Sequence, residues 1–321
     1  MSKYTFKDIW AMTKSTVGQF MENNSFRLAA ALAYNTIFSL PPLLLIIIAV
    51  AGNIWGQEAV SGQLALQLQS MVGADAAKEI QAMIKNATLT GTGGIASAIG
   101  IATLIFAATT FFVTLQDSLN SIWNIKVKPN NSFVKLAKDR FLSFGLIISI
   151  AFLMLISLVI SAVLSFFTDY LQRIFPTIAV IFIHLLNLAV SLGFITFLFA
   201  LIYKYLPDAI IRWKDVWVGS FLTALLFVVG KFGIGWYIGN SEVGSAYGAA
   251  GSVIIILVWI YYSSLIVFFG CEFTQQYACT FGEKIRPKAH AVEVEVREVK
   301  HKDTTDAQAG RPKAQGRFRP E

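Results

Sequence analysis

Charged side chains are scarce in this sequence. Asp, Glu, Lys and Arg make up 14% of the 321 residues, whereas 55% of the residues are hydrophobic. Soluble domains carry about 25% charged residues, so this composition excludes an ordinary soluble protein and indicates a membrane protein. The net charge of +7 must therefore be interpreted from the positions of the basic residues before it is taken as a nucleic-acid signal.

Metal ligands and common catalytic motifs are also missing. The sequence has three histidines and two cysteines, and they show none of the spacings of a zinc site. It contains no Walker loop, GxGxxG, HExxH or GxSxG pattern. The membrane-proximal carboxylates Asp117, Glu242 and Glu272 lie in separate segments, so nothing pairs them as acid and base. We therefore expect no enzyme activity, no cofactor and no metal.

Long apolar runs are abundant, and six of them approach the length of about 20 residues that crosses a bilayer as a helix. They lie at residues 28–52, 94–114, 142–167, 178–203, 216–238 and 247–269. The segments predicted to be outside hold only Lys78, Lys85 and Arg173, while the other segments between spans and both termini are rich in Lys and Arg. This asymmetry predicts an all-α, six-span protein of the bacterial cytoplasmic (inner) membrane with both termini cytoplasmic.

Three regions follow from this pattern. Residues 1–27 form a cytoplasmic segment with an amphipathic helix, which lies on the membrane surface or packs on the inner end of the bundle. Residues 28–280 form the transmembrane domain, and its outer loop at 53–93 has helical periodicity. Residues 281–321 are basic and poor in large apolar residues, so we expect a disordered cytoplasmic tail.

Residues 230–251 combine glycines with Lys231, the one cation that the topology rule leaves unexplained. An ionisable residue at membrane depth is a candidate functional residue, and Glu242 is the nearest acid on the same side. The alternative is that the Lys231 stem snorkels to the outer interface. The glycines that let the chain bend and helices approach are Gly235, Gly239, Gly244, Gly248 and Gly251.

The first span contains two consecutive prolines, Pro41 and Pro42, which remove two backbone donors and predict a kink. Tyr34 and Asn35 precede them by about two turns and are the expected polar partners of Lys231 if it faces a cavity. The alternative is a kinked helix without a further role. At the inner end, charges from neighbouring segments form a second candidate cluster, for which solvated helix ends are the alternative. Its members are Arg27, Asp117, Arg140 and Glu272.

Four segments of the sequence resemble the YihY/BrkB family of bacterial inner-membrane proteins. They are RLAAALAYNTIFSLPPLLL (27–45), QDSLNSIWNI (116–125), residues 203–252, and WIYYSSLIVFFGCEFTQQYA (259–278). The resemblance covers about residues 5–280, although Asn35 and Cys271 stand where Tyr and Ala are expected. It implies six spans, an inner-membrane location and links to virulence and envelope lipid transport, and it supplies no catalytic residues. Some family members carry a ribonuclease label, against which the missing metal ligands argue.

Three functions are therefore compared. The first is a transporter or flippase for a lipid-linked or amphipathic envelope molecule, and the second is a scaffold that recruits partners through its basic cytoplasmic face. A membrane-bound ribonuclease is the third and weakest. The expected partners are membrane lipids, a lipid-linked substrate and a second copy of the chain, without specific nucleic-acid binding.

Overall fold

The computed structural model describes residues 6–56, 61–62, 77, 81, 95–128, 145, 176–240 and 251–295. Its helices are α1 (Phe6–Glu22), α2 (Ser25–Trp55), α3 (Ile95–Ile122), α4 (Pro176–Tyr205), α5 (Trp213–Asn240) and α6 (Gly251–Phe281). Its strands are β1 (Ile125–Val127), β2 (Ala209–Ile210), β3 (Arg286–Pro287) and β4 (Ala291–Glu293). The strands follow α3, α4 and α6, and we call this side of the bundle the strand end.

Five of the helices are long and apolar enough to cross a membrane. The qualifying stretches are Ser25–Ala49, Ala102–Ile122, Leu188–Tyr205, Trp213–Ile238 and Val253–Phe281. They overlap the first, second, fourth, fifth and sixth predicted spans, so a helical membrane protein is confirmed. The third predicted span and most of the loop at 53–93 lie outside the described residues, and the six-span topology stays a prediction.

The helices pack in a continuous series in which α2 contacts α3 and α6, α6 contacts α5, and α5 contacts α4. Helix α2 continues through Pro41 and Pro42 as one element. Two hydroxyls near the prolines bond to backbone carbonyls one turn earlier, Thr36 to Leu32 at 2.6 Å and Ser39 to Asn35 at 2.8 Å. Such bonds keep polar side chains satisfied inside an apolar helix.

Helix α1 packs along α6. Its buried face carries Met12, Thr16 and Phe20, and Phe20 meets the ring of Phe269 edge-on at 5.7 Å between centroids. Its other face exposes four apolar side chains, Ile9, Trp10, Val17 and Met21. The structure thus supports packing on the bundle, and the exposed apolar face leaves contact with the membrane surface as a prediction.

Glycine and threonine alternate across the contact between α5 and α6. A Cβ added to Gly219 would lie 1.8 Å from Thr274 Oγ1, and one added to Gly270 would lie 1.8 Å from Thr223 Oγ1. Each threonine donates to the glycine carbonyl one turn earlier on its own helix, at 2.8 Å for Thr223 and 2.6 Å for Thr274. Small residues four apart on both helices let the backbones approach closely, as membrane helices require.

The region after α6 differs from the expected disordered tail. β4 pairs antiparallel with β1, and β3 pairs antiparallel with β2. Ile285 and Ala291 are buried in this arrangement, so the segment contributes to the core at the strand end. The physical reason is that the short strands after α3 and α4 need hydrogen-bonding partners. The prediction of disorder is therefore wrong for residues 281–295, and residues 296–321 lie outside the described part.

We predict that Gly219→Ala destabilises the protein by about 1–3 kcal/mol, the usual cost of overpacking, because its Cβ would overlap Thr274. Thermal unfolding in detergent measures the loss. In the Thr274→Gly background the same change should cost little, because the side-chain atoms that the new Cβ would meet are gone. Gly235→Ala is the control, since its Cβ meets nothing within 4 Å. An equal loss in both backgrounds would contradict the assigned contact.

Truncation at two points should show how much the strands β3 and β4 contribute to stability. Deleting residues 296–321 leaves all four strands intact and should not change the melting temperature. Deleting residues 283–321 removes the partners of β1 and β2 and should cost about 1–3 kcal/mol for each buried polar group left unpaired. Size-exclusion chromatography after graded heating compares the two, and equal stability would show that the strands are dispensable.

Candidate functional site

An apolar cavity of about 260 Å³ lies between α2, α3, α4 and α6. Its wall includes Leu40, Phe111, Phe199, Ile256 and Trp259. Three hydroxyl residues also line it, namely Thr36, Ser263 and Ser264. The Thr36 and Ser264 hydroxyls are engaged with carbonyls of their own helices, at 2.6 and 2.7 Å. The cavity therefore presents hydrocarbon and suits an apolar group better than an ion.

The cavity lies next to the proline pair of α2, because Leu40 in its wall directly precedes Pro41. Each proline deprives the helix of one backbone hydrogen bond. The wall that α2 provides thus lacks two of the backbone bonds that would resist a bend. Pro41 and Pro42, singled out in the sequence as a hinge, lie beside the cavity in the structure, and hinge motion stays a prediction.

Asp208 is the centre of a polar cluster at the strand end, which we call the Asp208 cluster (Gln116, Asn120, Asp208 and His290). Asp208 is 4% exposed. Its Oδ2 accepts from Asn120 Nδ2 at 2.9 Å and from Gln116 Nε2 at 3.2 Å. Its Oδ1 lies 2.8 Å from His290 Nε2. Asn120 also accepts from the Asp208 N–H at 2.8 Å, so the cluster joins α3, the turn after α4 and the segment between β3 and β4.

The charge of Asp208 is favoured by these contacts. Burial by itself would raise its pKa, but the hydrogen bonds from His290 and Asn120, with the charges of His290 and Lys288, lower the pKa below its usual value. Lys288 also closes the turn directly, since its N–H donates to the Asp208 carbonyl at 2.9 Å and its Nζ to the Pro207 carbonyl at 2.7 Å. These hydrogen bonds and charges therefore hold α3, the turn after α4 and the segment between β3 and β4 together at the strand end.

Tyr203 adds a second layer between the Asp208 cluster and the cavity. Its side chain is completely buried, and its hydroxyl donates to the carbonyl of Val267, a cavity residue, at 2.7 Å. The same hydroxyl lies 3.1 Å from Thr223 Oγ1. Leu115, which lines the cavity, directly precedes Gln116 of the cluster. Tyr203 and the Asp208 cluster thus lie next to the residues that line the cavity on its strand-end side.

The structure places Lys231 away from this cavity. Lys231 is not among the described residues that line the cavity. Its Nζ lies 5.5 Å from the ring centroid of Phe232, which is 69% exposed. Trp236, one turn further on, is also highly exposed. These neighbours favour a lysine that snorkels beside lipid-facing aromatic residues. A role for Lys231 with substrate stays a prediction, and Glu242 lies outside the described residues.

The other candidates of the sequence analysis are dispersed. Tyr34 is exposed and meets the ring of Phe38 at 5.1 Å, while Asn35 Nδ2 donates to Thr114 Oγ1 at 3.1 Å and bridges α2 to α3. Gly235 is exposed with open space around it, and Gly251 is the buried first residue of α6. Gly239 lies within α5, whereas Gly244 and Gly248 are outside the described residues.

The predicted inner-end charge cluster stays a prediction, and the structure shows the surroundings of one of its members, Glu272. Glu272 is fully buried and accepts at Oε1 from Asn23 Nδ2 at 2.8 Å. Its Oε2 has no hydrogen-bond partner within the described part of the chain. Arg27 and Asp117 are exposed, and Arg140 lies outside the described residues. Sequence reasoning missed Asp208 and His290, although the spacing of Gln116 and Asn120, four residues apart, marks the helix face that binds Asp208.

The comparison with protein families agrees with this architecture. The model of the family described as "Virulence factor BrkB" matches residues 16–295, from within α1 to just beyond β4. The chain belongs to the BrkB family. The match includes residues 286–293, so the segment that carries β3 and β4 is part of what this BrkB-family chain shares with the family.

Curated relatives are membrane proteins of the same kind. A UPF0761 membrane protein of Tolumonas auensis is 27% identical over 261 residues, which cover 80% of each chain. One of Haemophilus influenzae is 27% identical over 257 residues, covering 79% of this chain and 90% of the relative. One of Verminephrobacter eiseniae is 28% identical over 273 residues, covering 83% of this chain and 62% of the relative. No solved structure matches the chain.

We predict that Asp208→Asn destabilises the protein by about 1–3 kcal/mol at neutral pH, because an amide cannot accept from all the buried donors that surround it. The lowered pKa means that the carboxylate stabilises the fold fully above its ordinary value of 3.8, and that this contribution is lost as pH falls through the folded-state value. Melting temperatures of both proteins should differ at pH 7 and converge below pH 4.

The control is the same pair of proteins carrying His290→Gln. Glutamine can still donate to Asp208 but does not titrate, so any remaining convergence at acid pH belongs to the carboxylate. A melting-temperature difference that is the same at pH 7 and at acid pH would show that the charge of Asp208 does not stabilise the strand end.

Proposed function

We propose that this BrkB-family protein is a transporter of the flippase type for a lipid-linked or amphipathic envelope molecule. The observation that carries the proposal is the apolar cavity between α2, α3, α4 and α6. A cavity lined by hydrocarbon inside a helical membrane bundle suits an acyl or isoprenoid chain, because the described lining carries no charged side chain that would have to be desolvated, and the Thr36 and Ser264 hydroxyls are already bonded to carbonyls.

The surrounding contacts support a cavity that opens on one side at a time. On its strand-end side lie Tyr203 and the Asp208 cluster, and in this proposal that side opens only when their buried hydrogen bonds break. The wall beside Pro41 and Pro42 has fewer backbone bonds. In this proposal the chain of the substrate occupies the cavity while α2 bends, and its polar headgroup moves outside the apolar part. Lys231 is not required for this step.

A scaffold role is the alternative, and it depends on the basic tail. The strands β3 and β4 hold the start of this tail against the bundle, so a truncation that tests recruitment must begin at residue 296. A transporter keeps its activity in liposomes without residues 296–321. A scaffold does not move lipid in liposomes with or without them.

Reconstitution into liposomes tests the transporter directly. The probe is phosphatidylglycerol labelled at its headgroup with a fluorophore that dithionite bleaches only in the outer leaflet. Wild type should accelerate loss of the protected signal at least tenfold over protein-free liposomes. Ser263→Phe should abolish the acceleration, because the added ring occupies the cavity that Ser263 lines.

Val229→Phe is the matched control, since Val229 is 62% exposed on α5 and lies outside the cavity lining. It adds a ring of the same size without filling the cavity and should retain wild-type rates. Wild type that performs no better than empty liposomes would overturn the proposal. Equal activity of Ser263→Phe and wild type would show that the cavity is not on the route.

A further inference from the structure

A second apolar feature lies on the outer surface of the bundle, between α4 and α5. This α4–α5 groove, about 620 Å³ and open along its length, is lined by residues of both helices. They include Leu192, Gly193 and Thr196 of α4 and Trp217, Val218 and Phe221 of α5. The Thr196 hydroxyl donates to the Leu192 carbonyl at 2.7 Å. The surface of the groove is therefore apolar, and the hydroxyl of Thr196 in it already has a hydrogen-bond partner.

The α5 wall of the groove ends at a lysine. Lys214, Trp217, Val218 and Phe221 are spaced three and four residues apart, so they lie along one face of α5. Lys214 stands one turn closer to the strand end than Trp217, about 10 Å along the helix from Phe221. An anionic group held at Lys214 would thus leave its attached chain aligned with the groove.

The neighbouring charges leave Lys214 available. Arg212 pairs with Glu283 at 2.9 Å and lies 3.8 Å from Asp215, which is buried. The Asp215 carboxylate faces Gly282, where an added Cβ would lie 2.5 Å from it. Lys214 is exposed, and the ion pairs formed among the described residues give it no acidic partner. A positive charge at the end of an apolar groove is complementary to an anionic amphiphile.

Aromatic side chains mark the depth of the membrane interface at this end. The ring of Trp213 lies 6.0 Å from that of Tyr205 and 6.5 Å from that of Trp217. Lys204 Nζ lies 5.6 Å from the ring centroid of Trp213. Rows of Trp and Tyr beside Lys are typical of the headgroup level. The row places Lys214 among headgroups and the groove beside acyl chains.

We propose that the α4–α5 groove is a binding site for an anionic diacyl phospholipid of the leaflet at the strand end. One acyl chain lies in the groove against Trp217 and Phe221, and the phosphate is held by Lys214. This site is separate from the cavity of the proposed function and does not depend on it. It differs from ordinary annular lipid by its selectivity for a negative headgroup.

Quenching of Trp217 fluorescence by lipids brominated on an acyl chain tests the site. The protein is reconstituted in phosphatidylcholine vesicles with equal small fractions of brominated phosphatidylglycerol or brominated phosphatidylcholine. The chain has seven tryptophans, so the Trp217 signal is obtained as the difference between wild type and Trp217→Phe. Brominated phosphatidylglycerol should be about fivefold enriched at Trp217, the factor that one lysine supplies near an anionic headgroup.

Two variants and a matched control make the test specific. Gly193→Phe should exclude the chain and abolish quenching of Trp217 by both lipids; its Cβ meets nothing within 4 Å, so the helix accommodates it. Lys214→Gln should leave the two lipids equally effective, while Lys214→Arg keeps the preference. Gly235→Phe, at an equally open glycine of α5 outside the groove, should behave as wild type.

Equal quenching by the two lipids in wild type would reduce the site to annular contact and overturn the proposal. A preference that survives Lys214→Gln would remove the headgroup assignment. A third result would also overturn the proposal. If neither lipid quenches Trp217 in wild type and the protein cross-links as a dimer through this face, a second copy of the chain covers the groove instead.

Discussion

The buried carboxylate of Asp208 is the interaction on which the strand end of the protein depends. It receives hydrogen bonds from two side chains of α3 and meets His290 from the C-terminal region. A carboxylate at 4% exposure is stable only when its oxygens are paired. The pairing therefore requires α3, the turn after α4 and the segment between β3 and β4 to be in place together. The cavity lies directly beside this arrangement, because its lining residue Leu115 and Gln116 of the cluster are consecutive residues of α3.

Apolar runs predicted the helices well, because length and hydrophobicity alone decide whether a segment can cross a bilayer. Side-chain partners were harder to predict. Of the stretch emphasised in the sequence, 230–251, Gly230 lies close to α6, where an added Cβ would meet Ile266 at 2.6 Å. The tightest contacts between α5 and α6 in the described residues are at Gly219 and Gly270, outside that stretch. The paired small residues four apart on α5 and α6 were visible in the sequence, but which helix faces which is a property of the packed bundle.

In the C-terminal region, the average composition hides a local strand pattern. Over residues 281–321 the composition is polar and basic, as in disordered segments. Within it, residues 291–296 read AVEVEV, an alternation with the period of a strand. Its partner β1 lies far away in the chain, so no local pattern could identify it. Likewise, Asp208 follows a proline in an ordinary turn, and only the fold brings Gln116, Asn120 and His290 to it.

The pairing of β1 with β4 also determines the order in which the protein can be completed. Ile125 is opposite Glu293 in this pair. β1 is therefore synthesised in the first half of the chain, and its partner β4 is synthesised much later. While the polypeptide leaves the ribosome, α3 and α4 enter the membrane with the backbone of β1 and β2 still unpaired and with Asp208 lacking His290. The pairing of β1 with β4 and the contact of Asp208 with His290 can therefore form only after the chain has been made as far as Glu293.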